Sequence, residues 1–159
     1  MEVLKKSILK ELDDAALQVL GNALEKHKAK KDEVLLKEGE KQEYAFIIEE
    51  GEIGCYKNQG DSEVLLNTLH TGAASGFFHI FKSDPSFSTL KIASDEAVIY
   101  KISDDDFRGL IRESNEFLSS WLQYINLLVR RQSKALRNTE SDTLSSDSKV
   151  TVGFFDSSP

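Results

Sequence analysis

The feature that most constrains the fold is a succession of short apolar runs between residues 34 and 102, separated by turn-forming residues. Glycine-containing segments, EEGE, NQGD and HTG, interrupt the runs and predict tight turns. Runs this short and this regularly interrupted are typical of strands in an antiparallel sandwich or barrel. The predicted strands lie at residues 34–36, 45–48, 53–56, 64–66, 90–93 and 98–102.

Helical periodicity precedes these strands. From residue 14 to residue 27, Leu17, Leu20 and Leu24 recur at three- and four-residue steps after the capping-type residues Asp13 and Asp14. This spacing predicts an amphipathic helix. A shorter helix is predicted before it, and its apolar residues are Val3, Leu4, Ile8 and Leu12.

Two further helices are predicted after the strands. Ser103 or Asp104 can cap the first, which has acidic residues in its opening turn, where the helix dipole favours them. The second runs from Asn115 to about Arg137 and carries an apolar stripe at helical spacing. Its members are Phe117, Trp121, Tyr124 or Ile125, Leu128 and Ala135. The stripe can pack on the sheet or on a partner helix.

Composition excludes several classes of function. The formal charge of −7 disfavours binding to nucleic acid or to an anionic membrane, both of which need a basic surface. Residues 1–24 contain no apolar run of membrane-spanning length. Cys55 is the single cysteine and the histidines are scattered, so neither a disulfide within the chain nor a zinc site is predicted. We expect a cytoplasmic protein with no cofactor and no active site in residues 1–137.

The order of elements and four segments resemble the cyclic-nucleotide-binding domain family, over about residues 10 to 137. The segments are KEGE from Lys37, FIIEEGEIGCYK from Phe46, LNTLHTGAASGFF from Leu66 and AVIYKISDDDF from Ala97. The resemblance implies a mostly β fold with flanking helices. It predicts an eight-stranded antiparallel, jelly-roll-like β-barrel (a double-stranded β-helix) with an N-terminal helix and a C-terminal helix pair.

The resemblance also implies a ligand-binding cassette that begins at Gly76. In the family, a glutamate after this glycine accepts a hydrogen bond from the ribose, and a later arginine pairs with the cyclic phosphate. Transferred to this sequence, the glutamate position is Phe77 and the arginine position is Phe87. Residues 77–93 contain neither arginine nor glutamate, and their cations are Lys82 and Lys91. The degenerate cassette positions are Gly76, Phe77, Phe78, Phe87, Ser88 and Thr89.

A phenylalanine offers neither the acceptor nor the cation that the nucleotide needs. Three interpretations therefore stay open. The aromatic residues can fill the pocket and serve as core, form an apolar pocket for another small molecule, or leave an unusual nucleotide site. The aromatic and apolar residues concerned are Phe77, Phe78, Ile80, Phe81 and Phe87.

These patterns divide the chain into predicted regions. They are an N-terminal helical segment (1–30), the barrel (31–102), the C-terminal helices (103–138), a polar linker (139–149) and the start of a further domain (150–159). The last segment resembles the first strand of D-2-hydroxyacid dehydrogenases. We expect a noncatalytic regulatory or interaction domain, attached to a downstream catalytic or effector domain and able to form a homodimer through the C-terminal helix. The alternative is a sensor that binds a cyclic nucleotide or another small molecule and regulates an attached enzyme.

Overall fold

A computed structural model describes residues 2–78 and 84–141, with side chains up to Asn138. The described part contains four helices and eight strands. The helices are α1 (Glu2–Lys5), α2 (Asp14–Ala23), α3 (Asp104–Glu113) and α4 (Asn115–Ser141). The strands are β1 (Glu25–Lys30), β2 (Val34–Leu36), β3 (Tyr44–Glu50), β4 (Ile53–Gln59), β5 (Ser62–Leu69), β6 (Ala74–Ser75), β7 (Thr89–Ile92) and β8 (Glu96–Ser103).

The strands form two four-stranded sheets in which every pairing is antiparallel. The first sheet has the order β1-β8-β3-β6 and the second has the order β2-β7-β4-β5. The predicted eight-stranded, antiparallel, jelly-roll-like architecture is confirmed. In the described residues, however, the strands pair as two separate sheets and not as one closed barrel.

Strand β3 is buried on both faces and therefore separates two cores. Phe46 and Ile48 point into a sandwich core between the two sheets. Ala45 and Ile47 point the other way, into a helix core between the first sheet and the helices. This alternation follows from the two-residue repeat of a strand. The helix core also contains Leu9, Leu20, Phe77, Phe107, Phe117, Trp121 and Tyr124.

Side-chain caps begin the three longer helices. The Asp13 carboxylate accepts from Ala16 N at 2.8 Å, the Ser103 hydroxyl from Asp106 N at 3.1 Å and the Ser114 hydroxyl from Phe117 N at 3.1 Å. Each cap satisfies a backbone N–H that has no partner within its helix. Of the two predicted caps of α3, Ser103 and Asp104, the observed cap is Ser103. No helix in the described ranges has the length and apolar character needed to cross a bilayer.

The helix predicted from residue 14 to residue 27 is too long. It ends at Ala23, and residues 25–30, which belong to the segment predicted to be helical, form β1 instead. Its residues EKHKAK have good helix propensity but only Ala29 is buried, so pairing with β8 outweighs local preference. The two-residue strand β6 was not predicted either.

At the C-terminal end, α4 extends to Ser141, three residues into the predicted linker. The rest of the linker and the segment 150–159 lie outside the described residues. The predicted downstream domain therefore stays a prediction.

Candidate functional site

Gly76, the first cassette position, follows β6 and packs against β3. Its φ is +93°, a conformation that glycine adopts without strain. A Cβ atom placed here would lie 2.9 Å from both Ala45 Cα and the Tyr44 carbonyl oxygen, and would overlap the Gln42 side-chain amide. The Gln42 amide donates to the Tyr44 carbonyl at 3.0 Å. Packing and backbone conformation alone therefore require glycine at this position.

Phe77, at the glutamate position, lies in the helix core and is 1% exposed. Its ring meets Phe107 edge to face, with centroids 5.5 Å apart, and is 6.3 Å from the Trp121 ring. Phe78 is partly buried and stacks on Trp121 at 5.3 Å. These two phenylalanines join the cassette to α3 and α4. For Phe77 and Phe78, the contacts agree with the interpretation in which the aromatic residues serve as core.

Phe87, at the arginine position, is 71% exposed and does not belong to either core. The interpretation in which the aromatic residues fill the pocket as core therefore does not extend to Phe87. Its ring is contacted by the Lys57 ammonium, 4.1 Å from the ring centroid. The same ammonium donates to the Phe87 carbonyl at 3.0 Å. Lys57 thus holds the backbone of Phe87 in place while the ring of Phe87 stays at the surface.

Lys57 is a cation next to the arginine position that the sequence reasoning missed. Its Nζ lies 2.6 Å from Glu38 Oε1, and Glu38 Oε2 accepts from Asn58 N at 2.9 Å. The hydrogen bond and charge of Lys57, with the Asn58 N–H, lower the pKa of Glu38. The two-residue repeat of β4 places Lys57 on the same face as Cys55. This repeat is the feature of the sequence from which Lys57 could have been identified. Glu38 therefore already neutralises this cation.

Ser88 and Thr89 are buried at the start of β7. The Thr89 hydroxyl accepts from Glu38 N at 3.0 Å. Nearby, Gly39 N donates to the Ser86 carbonyl at 2.8 Å, and Ser86 N donates to the Glu40 carbonyl at 2.7 Å. These bonds fasten the returning end of the cassette to the turn at Lys37 to Glu40. Thr89 thus acts as a structural acceptor for the backbone.

The other candidate groups are Lys91, Cys55 and His70, and each has contacts or burial that fit a structural role. Lys91 faces away from the buried Leu90 and Ile92, and its Nζ lies 2.7 Å from Glu63 Oε2. Burial raises the pKa of the Cys55 thiol to about 11, so the thiolate that a nucleophile needs is disfavoured. His70 Nδ1 lies 3.2 Å from Glu52 Oε1 at the surface.

No cluster of potential metal ligands occurs within residues 2–78 and 84–141. His79, Ile80, Phe81 and Lys82 lie outside these residues.

Comparison with known proteins adds to this geometry. Residues 26–114 match a family model described as the cyclic nucleotide-binding domain. A cGMP-dependent protein kinase of Eimeria tenella is 27% identical over an alignment of 135 residues, and the match covers 80% of this chain. The chain spans only 13% of the length of that kinase.

Two solved structures share the fold. The N-terminal domain of a transcriptional regulator from Streptomyces coelicolor A3(2) has a TM-score of 0.72 at 17% identity, and the match covers 92% of this chain and 99% of that one. The regulatory domain of Toxoplasma gondii PKA, crystallised with cAMP, has a TM-score of 0.61 at 23% identity, with 68% and 41% coverage. These two proteins differ in function, so the shared fold does not by itself assign a ligand.

Proposed function

This chain belongs to the cyclic nucleotide-binding domain family, and we propose that it is a noncatalytic regulatory or interaction domain that does not bind cAMP or cGMP through the usual glutamate and arginine. The observation that carries the proposal is the burial of Phe77 in the helix core, at the position where the family has its glutamate.

The missing acceptor is the first argument. A carboxylate accepts a hydrogen bond from the ribose hydroxyl, whereas the Phe77 ring has no lone pair to offer. Its contacts with Phe107 and Trp121 support a role in joining the β6 end of the cassette to α3 and α4. A glutamate in this place would bury a charge among aromatic rings, which costs several kcal/mol unless the charge is paired.

The missing cation is the second argument. All five arginines of the chain lie at position 108 or later, after β8. Lys57 is a cation near position 87, but it is paired with Glu38, so a bound phosphate would have to compete with that carboxylate. Loss of two charged hydrogen bonds costs about 3–6 kcal/mol, or roughly two to four decades of affinity.

The partner we infer is a catalytic or effector domain in the same protein. The curated relative is a protein kinase much longer than this chain, which supports a role as one module of a larger enzyme. In such a protein the domain would act through contacts with its neighbour. Attachment to a D-2-hydroxyacid dehydrogenase remains a sequence-based alternative that depends on residues 150–159.

Thermal unfolding with cAMP and with cGMP at millimolar concentration tests the proposal. A nucleotide at 100 times its Kd stabilises a protein by about 2.7 kcal/mol, so a functional site gives a clear rise in Tm. We expect no rise for the wild-type chain, and a nucleotide-dependent rise would contradict the proposal. The Phe87→Arg variant is the matched comparison, because it supplies the missing cation at an exposed position.

If Phe87→Arg also shows no response, the missing acceptor and the packed ring of Phe77 are sufficient to prevent binding. If it responds while the wild type does not, the absent arginine is the dominant defect. Both results agree with loss of the usual mechanism. The alternative function, a sensor of a cyclic nucleotide, requires the wild type itself to respond.

A further inference from the structure

The C-terminal part of α4 contains a basic segment that the proposed function does not use. Residues 130–137 read RRQSKALR, with four basic residues and no acidic one, in a chain whose formal charge is −7. Within this segment, Arg130 and Arg131 stand at the third and second positions before Ser133. No other serine or threonine of the chain has arginine at both positions. The charge in front of Ser133 therefore distinguishes it from every other hydroxyl residue of the protein.

Ser133 lies on an accessible part of the molecule. Arg130, Arg131 and Ser133 are all exposed. Leu128 is the last residue of α4 among the described members and neighbours of the helix core. The following residues, 129–141, continue the helix for about 20 Å at 1.5 Å per residue. An enzyme can therefore approach the Ser133 hydroxyl without displacing either core.

Local unfolding of residues 129–141 supplies the extended backbone that a protein kinase binds. A kinase takes its acceptor residue in an extended conformation, whereas Ser133 lies within a helix. An isolated helix of about 13 residues is marginal in water, and segments outside a core open at low free energy. The Arg131 Nη2 atom lies 2.7 Å from Glu11 Oε1, which ties the segment to the N-terminal region. Exposed ion pairs of this kind stabilise a protein little, so the segment can open.

The two arginines provide the charge that a kinase recognises. A guanidinium binds a carboxylate through two parallel hydrogen bonds, and carboxylates in a kinase cleft select substrates by such charge patterns. Among the described residues, Arg131 pairs with Glu11, whereas Arg130 has no ionic partner. Glu11 must therefore release Arg131 before a kinase can bind both arginines.

We propose that Ser133 is a phosphorylation site for a serine/threonine kinase that recognises arginine at the second and third positions before its acceptor residue. The Ser133 Oγ atom attacks the γ-phosphorus of magnesium-bound ATP, the bond from that phosphorus to the β,γ-bridging oxygen breaks, and ADP leaves. The hydroxyl proton passes to the catalytic carboxylate of the kinase. The site lies outside the cassette, so the inference does not depend on nucleotide binding.

The helix can hold the phosphorylated residue. Arg130 and Arg137 lie about one turn before and one turn after Ser133, on the same face of α4. A phosphoserine has a charge of about −1.5 to −2 at pH 7 and three acceptor oxygens, so both guanidiniums can pair with it. Ser133 is more than one turn from the end of α4 at Ser141, where the helix dipole opposes an anion. Phosphorylation thus neutralises part of the basic segment without requiring the helix to stay open.

Mass spectrometry after incubation with magnesium-bound ATP and an arginine-directed kinase tests the proposal. The kinase is the free catalytic subunit of cAMP-dependent protein kinase. We expect one phosphoryl group per chain, located at Ser133 by fragmentation, and none in Ser133→Ala. An unmodified wild-type chain would overturn the proposal, as would equal modification of Ser133→Ala. A peptide of residues 126–141 that reacts while the whole chain does not would identify burial by the fold as the reason for the failure.

Two paired variants test the role of the arginines. Arg130→Gln with Arg131→Gln should lower kcat/KM for phosphorylation of Ser133 by at least about 100-fold, because two charge-assisted contacts are lost. Lys134→Gln with Arg137→Gln removes the same charge from the same part of the helix and should leave kcat/KM nearly unchanged. Circular dichroism checks that both variants keep the helix content of the wild type. Equal values of kcat/KM in the two variants would overturn recognition through the arginines.

Glu11→Gln tests the competition for Arg131. We expect this variant to raise kcat/KM by up to about fivefold, because an exposed ion pair no longer has to open. Glu2→Gln is the matched control, since Glu2 forms an exposed ion pair with Lys6 at 3.1 Å, and it should have no effect. Absence of a rise in Glu11→Gln, or an equal rise in Glu2→Gln, would overturn the competition between Glu11 and the kinase.

Discussion

Phe77 and Phe87 are the same residue type ten positions apart, and their surroundings give them different roles. Phe77 contributes its whole ring to the helix core, where Phe107 and Trp121 surround it. Phe87 leaves most of its ring in solvent and interacts with the Lys57 ammonium. The effect of removing each ring should differ accordingly.

We expect Phe77→Ala to lower the free energy of unfolding by about 3–5 kcal/mol, because it removes a buried ring and leaves a cavity. Phe87→Ala is the matched control and should cost about 0.5–1 kcal/mol, the value of an exposed cation–π contact. Urea unfolding followed by tryptophan fluorescence measures both, since Trp121 lies in the helix core. Equal losses in the two variants would contradict the placement of the rings.

The turns that border the strands depend on glycine for different physical reasons. Gly39 and Gly76 both have positive φ, +85° and +93°. A Cβ atom at Gly39 meets no atom within 4 Å, whereas one at Gly76 meets the backbone of β3. The junction after β6 is thus constrained by packing as well as by conformation.

Gly39→Ala should cost about 1–2 kcal/mol, which is the strain of a left-handed conformation for alanine. Gly76→Ala should cost more, because the added methyl group also displaces β3 or β6. Chemical denaturation of the two variants under identical conditions measures the difference. A loss at Gly39 equal to or larger than the loss at Gly76 would refute the close contact of Gly76 with β3.

Two tyrosines join separate parts of the molecule. The Tyr44 hydroxyl on β3 donates to the Leu35 carbonyl on β2 at 2.6 Å, which links the two sheets. The Tyr124 hydroxyl on α4 donates to the Ile8 carbonyl at 2.7 Å, which links the last helix to the N-terminal region. Burial, with a smaller contribution from Glu33 or Glu11 respectively, raises the pKa of each to about 12.

These pKa values predict a loss of stability in alkaline solution. The folded state holds both phenolic protons more tightly than the unfolded state, whose tyrosines titrate near 10. The stabilisation is therefore fully present below about pH 10 and is lost as the pH rises towards about 12. Urea midpoints across this range measure the loss. The urea midpoint of the double variant Tyr44→Phe with Tyr124→Phe should decline less over this pH range than that of the wild type. An equal decline would contradict the attribution of the loss to these two tyrosines.

Much of this architecture is predictable because the pattern that predicts it is local. Short apolar runs between turn residues placed β3, β4, β7 and β8 near their observed positions, and the cap and acidic first turn placed α3. The segment that forms β1 has no such pattern, because most of its residues are charged. Pairing with β8 holds it in the sheet. β6 is only two residues long and is held by two paired residues of β3.

The amino-acid sequence alone indicates the family, the positions of six of the eight strands, and the absence of arginine and glutamate from residues 77–93. The packing of distant elements is what makes Phe77 core and Phe87 surface and brings Lys57 and Glu38 together beside Phe87. It also buries Trp121 and Tyr124 of α4 while Leu122 and Val129 stay exposed. The reason is physical. Periodicity along the chain reports which residues share a face, whereas burial and ion pairing depend on which distant element that face meets.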